Sequence, residues 1–285
     1  MIVDLDTLVA MIPDGAKLAI PKDTSGVAIA ATCALIQRGV RELYLVCVPV
    51  GGLQADMLTG AGCVATIETS AVSLGEYGPA PRFAAALKDG SLKVLDSTCP
   101  AIYAGLQAAE KGIPFIPLRG LIGSDLLAQR ADWKLIDNPF APGDKIVALA
   151  AIRPDYALFH APLADREGNV FIGRERELLT MAHASAQTLV TVESISDRNL
   201  MDDEARAGSV IPSLYVSHIA QAKRGAWPLG LARHYPDDAT GLAEYANAAR
   251  SGAGFAEFIK AWRLERCDPA ENELAVRASA VLERG

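Results

Sequence analysis

The stretch ELYLVCVPVGGLQADMLTGAGCVATIETS, from Glu42 to Ser70, decides the fold. It begins with a mostly apolar run, passes through two glycines into a helical pattern, and ends in a second β-rich run. Strands that are apolar on both faces are typical of a parallel sheet, because helices cover both sides of such a sheet. The stretch therefore predicts a strand, a helix and a second strand of an α/β layered fold.

The same alternation continues on both sides of this stretch. β-rich runs lie at residues 17–21, 42–50, 63–70, 92–97, 114–118, 145–152, 156–161 and 188–195. Helical patterns lie between several of these runs, and three of them end with a basic residue and then Gly39, Gly90 or Gly112, a common helix stop. Residues 123–145 contain prolines and glycine and are predicted to be a long irregular excursion.

The C-terminal part has a different pattern, which becomes helical from about Leu229. Aromatic and aliphatic residues between Phe255 and Trp262 recur at helical spacing there. We predict an open, mainly parallel sheet flanked by helices in residues 1–228. Residues 229–285 are predicted to form a helical tail that packs on this domain or on a partner.

Composition and charge exclude several classes of function. The 285 residues carry a net charge of −7, so a nucleic-acid backbone is not an expected partner. Five cysteines without a CxxC pair are typical of a reducing compartment. The acidic N-terminus does not resemble a signal peptide, and no apolar run approaches the roughly 18 residues of a membrane span. We expect a cytoplasmic protein with no membrane or nucleic-acid partner.

Sequence motifs for the common cofactors are missing. The chain has no GxGxxG, Walker, GxSxG or HExxH motif and no His/Cys cluster with metal-ligand spacing. We expect neither a metal nor a permanently bound cofactor. The histidines are scattered, and structural or surface roles are expected for all four, which are His160, His183, His218 and His234.

Two strand-to-helix junctions are candidate binding sites for an anionic group, because ligands of open α/β sheets bind at the carboxyl ends of strands. At one junction Gly51 and Gly52 precede a helix, and the alternative is that they only permit the turn. At the other, the alternative is that Asp23 or Thr24 serves only as a helix N-cap. The candidates at this second junction are Lys22, Asp23, Thr24, Ser25 and Gly26.

Two further features concern a thiol and a turn. Cys99 precedes Pro100 at an expected helix start, where the positive helix end would lower the thiol pKa; the alternative is a buried structural cysteine. The segment ADREGNV, from Ala164 to Val170, interrupts an apolar strand with residues that favour tight turns. It predicts a hairpin.

Four segments carry a resemblance to a known family. They are residues 39–70, GLQAAEKGIPFIPLRGLIGSDL at residues 105–126, RPDYALFHAPLADREGNV at residues 153–170, and VTVESI at residues 190–195. Between about Asp14 and Gln221 the chain resembles the α subunit of heteromeric class I CoA-transferases, of the glutaconate and 3-oxoacid kind. The resemblance implies that the partner is a homologous β subunit and that the substrates are acyl-CoA and a carboxylic acid. It also implies that coenzyme A is a substrate rather than a resident cofactor.

The resemblance further implies a division of labour. The β subunit carries the glutamate that attacks the acyl-CoA, and the α subunit supplies oxyanion donors from a glycine-rich loop after its first strand. In this sequence the loop reads IPKDTSGV and lacks the double glycine, so the donors are expected from Asp23 to Gly26. Cys99 stands where related α subunits, including a ring-opening hydrolase branch, often have glutamate.

These features lead to one predicted function and two alternatives. The predicted function is that of a CoA-transferase α subunit which is active with its β partner. The alternatives are a subunit of a CoA-thioester hydrolase that cleaves a ring, and a noncatalytic CoA-binding subunit. No residue of this chain apart from Cys99 is a candidate nucleophile.

Overall fold

The stretch from Glu42 to Ser70 forms a strand, a helix and a second strand, as predicted. The computed structural model describes the backbone of residues 1–266 and the side chains of residues 1–262. Its strands, β1 to β13, are Ile2–Val3, Lys17–Pro21, Leu43–Val48, Val64–Thr69, Lys93–Asp96, Phe115–Leu118, Trp133–Asp137, Lys145–Ala150, Tyr156–Asp165, Val170–Phe171, Gln187–Ser196, Val210–Ile211 and His218–Gln221.

The helices begin and end where local residues favour it. The predicted stops at Gly39 and Gly90 have left-handed backbone, which glycine adopts without strain, and Thr98 accepts the N–H of Ala101 at the start of a helix. The helices, α1 to α10, are Leu5–Ala10, Ile29–Arg38, Leu53–Gly60, Pro81–Asp89, Cys99–Glu110, Leu126–Gln129, Arg176–Ala184, Glu204–Ala207, Ala239–Ala248 and Gly252–Arg266.

The main sheet has ten strands, of which eight are parallel, in the order β1-β13-β11-β9-β2-β3-β4-β5, and β10 and β12 are antiparallel additions. From β2 the chain proceeds outward through β3, β4 and β5, and from β9 it proceeds in the opposite direction. β2 and β9 therefore meet at the point where the strand order reverses, and they pair only at their first residues, Leu18 with Tyr156 and Ala19 with Ala157. The carboxyl ends of these two strands leave room for a ligand.

A small antiparallel sheet accounts for three other strands. β6 and β7 both pair with β8, so two of the predicted β-rich runs lie outside the main sheet. β7 falls inside the excursion predicted at residues 123–145, and that part of the prediction was wrong. Alternation of exposed and partly buried residues along β6 is typical of an antiparallel sheet with one solvated face.

The predicted hairpin is confirmed. β10 returns antiparallel to β9, and the Asp165 carboxylate accepts the backbone N–H groups of Glu167 and Asn169 at 3.0 and 2.9 Å. Gly168 has a φ of +96°, a conformation that few other residues adopt without strain. The hairpin places Phe171 and the chain that follows it beside the open ends of β2 and β9.

The C-terminal helices pack on one face of the domain. The Tyr245 hydroxyl donates to the Asp56 carboxylate of α3 at 2.7 Å, and Trp262 packs against Trp227 with ring centroids 5.7 Å apart. The predicted helical tail is thus confirmed as far as Arg266, and its remainder lies outside the described residues. The division at residue 228 stays a prediction. Through the described part of the chain, no helix has both the length and the apolar character needed to cross a membrane.

Candidate functional site

A cleft opens at the carboxyl ends of β2 and β9. Its larger part, about 510 Å³, is lined by Thr24 and by residues of the segment 230–237. A smaller pocket of about 100 Å³ continues from it, between the loop 24–26 and the chain after the hairpin at residues 171–175. Five of the sequence-predicted candidates, residues 22–26, form the loop at this cleft.

Gly26 binds the loop directly to β9. Its carbonyl accepts the His160 N–H at 2.7 Å, and its φ is +75°. A Cβ at this position would lie 2.1 Å from the carbonyl oxygen of His160, which is far inside contact distance. Only glycine therefore permits this approach of the two backbones.

Lys22 and Ser25 are held by acidic residues from the start of α7. The Lys22 ammonium lies 2.9 Å from the Glu177 carboxylate, and the buried Ser25 hydroxyl donates to Glu177 at 2.5 Å, with Glu175 at 3.0 Å. Burial alone would raise the pKa of Glu177, but the hydrogen bonds from Ser25 and Lys22 bring it below its ordinary value. The hydrogen bond to Glu177 raises the pKa of Lys22. Sequence reasoning missed both glutamates, because the RERE segment has the composition of an ordinary solvated surface.

Asp23 joins the two predicted junctions. Its carboxylate accepts the Leu53 N–H at the start of α3 with both oxygens, at 3.0 and 2.9 Å. A Cβ on Gly52 would lie 2.1 Å from the same carboxylate. The Gly51 N–H donates to the Ala71 carbonyl at 2.9 Å. The anion at this helix start is thus a side chain of the protein itself, and a ligand role for Gly51 and Gly52 stays a prediction.

Burial raises the pKa of Asp23 to about 6, against the Leu53 hydrogen bond, which lowers it. Between about pH 4 and pH 6 the folded protein then holds a proton that the unfolded chain has lost, since the ordinary pKa is 3.8. The free energy of unfolding should therefore fall by about 1–3 kcal/mol as the pH rises through this window. Asp23→Asn should flatten the fall, as measured by urea unfolding at pH 4, 5, 6 and 7.

Asp89→Asn is the control for this measurement, because the pKa of the exposed Asp89 is lowered by its bonds to Ser91. In Asp89→Asn the free energy of unfolding should still fall between pH 4 and pH 6, as it does in wild type. A fall of unchanged size in the Asp23→Asn protein would contradict the prediction.

Cys99 lies apart from the cleft residues. It is the first residue of α5, it is exposed, and its sulfur lies 3.2 Å from the Ser70 hydroxyl. Neither part of the cleft includes it among its lining residues. The structure therefore brings together residues 22–26 and the other junction, with Gly51 and Gly52, and it leaves the thiol outside the group.

His160 lines the smaller pocket and pairs with Glu193, a pairing that sequence reasoning missed. His160 is fully buried under the smaller pocket, and its Nε2 lies 2.8 Å from a Glu193 oxygen. The signals were present in the HAPLADREGN and VTVESI segments, but the two residues are 33 positions apart and meet only because β9 and β11 are neighbours. Within the described residues, no three His, Cys, Asp or Glu side chains are grouped as metal ligands.

Comparison with known proteins identifies the family. The family model described as Coenzyme A transferase matches residues 2–222. The α-type subunit of glutaconate CoA-transferase from Acidaminococcus fermentans is 30% identical, over 85% of this chain and 80% of its own length. A crystal structure of glutaconate coenzyme A-transferase from that organism has a TM-score of 0.88 at 26% identity, covering 98% of this chain and 93% of the other.

Two other relatives have names that denote different reactions. The crystal structure of a variant of the decarboxylase AibA/AibB, in which serine replaces one cysteine, has a TM-score of 0.83 at 31% identity and covers 92% of this chain and 97% of the other. The cholesterol ring-cleaving hydrolase IpdA subunit of Mycobacterium tuberculosis is 28% identical, over 79% of this chain and 80% of its own length. The extent of the family match confirms the resemblance noted in the sequence, and this chain belongs to the class I coenzyme A transferase family, in which it is of the α-subunit type.

Proposed function

We propose that this chain is the α subunit of a CoA-transferase that moves CoA between an acyl-CoA and a carboxylic acid, together with a homologous β subunit in the cytoplasm. The observation that carries the proposal is the loop 22–26, which is bound to β9 through Gly26 and lines a cleft at the switch point of the sheet. In this family the nucleophilic glutamate belongs to the β subunit, so the α subunit contributes one wall of the site.

The loop has backbone donors for a developing oxyanion. Within the described residues, the N–H groups of Thr24 and Gly26 have no hydrogen-bond partner, whereas the Ser25 N–H donates to the Lys22 carbonyl at 3.0 Å. Attack of the partner's glutamate on a thioester puts negative charge on the carbonyl oxygen, and preorganised N–H groups stabilise that charge. We propose Thr24 and Gly26 as these donors, in place of the double glycine.

The cleft favours an acyl group with a second carboxylate. Arg174 and Arg233 line it beside apolar side chains, and among the described residues neither has a salt bridge. Cations without an acidic partner are available to a carboxylate of the substrate. We therefore propose dicarboxylic acyl-CoA substrates, and the name of the glutaconate relative supports this class.

Coexpression with the homologous β subunit tests the function. The purified complex should move CoA from acetyl-CoA or a dicarboxylic acyl-CoA to added free acids, and dicarboxylic acceptors should react faster than monocarboxylic acids of equal length. The products are measured by mass spectrometry with and without an acceptor. The isolated α chain is the control and should show no transfer, because it lacks the attacking carboxylate.

Hydrolysis is the second candidate, and the missing double glycine in the loop favours it. The same assay separates the two functions, because a hydrolase consumes thioester without an acceptor acid and forms no CoA ester of the added acid. Cys99 supplies no carboxylate at the position where related α subunits, including the ring-opening hydrolases, often have glutamate. A noncatalytic subunit would instead leave turnover of the complex unchanged after alanine replacement of Lys22, Asp23, Thr24, Ser25 and Cys99.

A further inference from the structure

The Glu193 carboxylate lies at the carboxyl end of β11 and accepts hydrogen bonds from three parts of the chain. His160 Nε2 and the Tyr235 hydroxyl each donate to Oε1 at 2.8 Å. The backbone N–H of Gly225 donates to the same oxygen at 3.2 Å, and that of Arg224 donates to Oε2 at 2.7 Å. The side chain is 15% exposed, so these contacts are largely shielded from water.

The hydrogen-bond donors around Glu193 favour its ionised carboxylate. Burial alone would raise the pKa of Glu193, but the hydrogen bond and charge of His160, together with the Arg224 and Tyr235 bonds, hold it below its ordinary value. An ionised carboxylate only accepts hydrogen bonds, which places a proton on His160 Nε2. The Thr191 hydroxyl lies 2.9 Å from Nδ1 of the same ring.

His160 connects this group to one wall of the cleft. Its backbone N–H donates to the Gly26 carbonyl, and its side chain is fully buried. A Cβ on Gly225 would lie 2.5 Å from the imidazole Cε1, so Gly225 packs directly on the ring. The same residue thus contacts the loop through its backbone and Glu193 through its imidazole.

Tyr235 connects the same carboxylate to the opposite wall. It belongs to the segment 230–237, which lines the larger part of the cleft with Thr24. Its hydroxyl accepts the Ala226 N–H at 3.1 Å while donating to Glu193, and the Arg224 guanidinium lies 5.5 Å from its ring. One carboxylate is thus bonded to both sides of the cleft.

We propose that Glu193 is a positioning residue that sets the separation of the two cleft walls, the loop 24–26 and the segment 230–237. The inference rests on the proposed function only where it predicts an effect of Glu193 on the rate of CoA transfer. Its structural part, the attachment of both walls to one carboxylate, is independent of the reaction.

Glu193→Gln tests the proposal, because an amide keeps the shape but loses the charge and places two hydrogens among groups that are themselves donors. Glu110→Gln is the matched control. Glu110 also lies beside an imidazole, with His183 Nδ1 at 3.4 Å, but neither residue lines the cleft. Both variants are prepared in the complex with the β subunit.

Hydrogen exchange measured by mass spectrometry is the first readout. In Glu193→Gln the peptides covering residues 22–28 and 224–237 should exchange at least about tenfold faster, and Glu110→Gln should match wild type there. The second readout is steady-state transfer, in which kcat should fall about 100-fold in Glu193→Gln and stay within twofold in Glu110→Gln, since misplacement by about 1 Å has effects of this size.

Hydrogen exchange in Glu193→Gln that matches wild type would overturn the proposal, whatever the transfer activity. Faster hydrogen exchange with an unchanged kcat would overturn the expected effect of Glu193 on turnover. If Glu193→Gln does not fold, Tyr235→Phe removes the bond between Glu193 and the segment 230–237, together with the Ala226 N–H bond to the same hydroxyl. Faster exchange in residues 230–237 would then support the proposal, and wild-type exchange would contradict it. A wild-type complex that transfers no CoA would refute the proposed function. The comparison of hydrogen exchange between Glu193→Gln and wild type would still decide whether Glu193 holds the two cleft walls.

Discussion

Gly26→Ala should disrupt the cleft loop and reduce transfer by the complex at least about 100-fold. The alanine Cβ would lie 2.1 Å from the His160 carbonyl oxygen, and neither the Cβ, which the backbone of residue 26 fixes in place, nor the backbone oxygen can rotate away. The added methyl also disfavours the φ of +75°. Relief requires the loop to leave β9, which breaks the 2.7 Å bond from His160 and moves the Thr24 and Gly26 N–H groups.

Gly15→Ala is the matched control for this change. Gly15 has a φ of +76°, nearly the same as Gly26, and no atom lies within 4 Å of its hypothetical Cβ. Gly15→Ala should lower the free energy of unfolding by about 1–2 kcal/mol, because alanine is strained in the left-handed conformation, and CoA transfer should be unchanged. Urea unfolding and initial transfer rates are compared for both variants. Equal effects of the two replacements would show that the contact with His160 is unimportant.

Arg130→Ala should reduce the free energy of unfolding by about 3–5 kcal/mol, because it leaves the Glu68 carboxylate buried without its cation. Arg130 and Glu68 are each 2% exposed and their side chains meet at 2.6 Å. Arg130 also bonds Asp132 at 2.7 Å and lies 4.4 Å from the Trp133 ring. The Tyr44 hydroxyl donates to Glu68 at 2.8 Å. The group joins the small antiparallel sheet to β3 and β4 of the main sheet.

The exposed pair of Arg119 with Asp144 provides the control. Its arginine side chain is 64% exposed, so Arg119→Ala should change the free energy of unfolding by less than about 1 kcal/mol. The double replacement Arg130→Met with Glu68→Leu should recover much of the loss, because no buried charge then lacks a partner. Urea unfolding of the three proteins measures these differences. A loss in Arg130→Ala no larger than in Arg119→Ala would contradict the prediction.

Local patterns were sufficient for the elements of the main sheet. The apolar runs in β3 and β9 predicted buried strands, and Gly39 and Gly90 predicted helix ends, because these features depend on residues close together in the chain. The prediction for residues 123–145 missed β7 because it too used only residues close together in the chain. β7 forms through its antiparallel pairing with β8, and no local pattern contains that partner.

By itself the sequence determined the parallel sheet, the hairpin at Asp165, the family resemblance and the residues of the loop 22–26. Only the tertiary structure decided which groups this loop meets. Asp23 binds the start of α3, Ser25 meets Glu177, and His160 meets Glu193 across 33 residues of chain. These contacts form because parallel strands bring their carboxyl ends to one edge of the sheet, whatever their separation in sequence. Secondary-structure patterns extend over a few residues, whereas hydrogen bonds and charges act between whichever groups the fold makes neighbours.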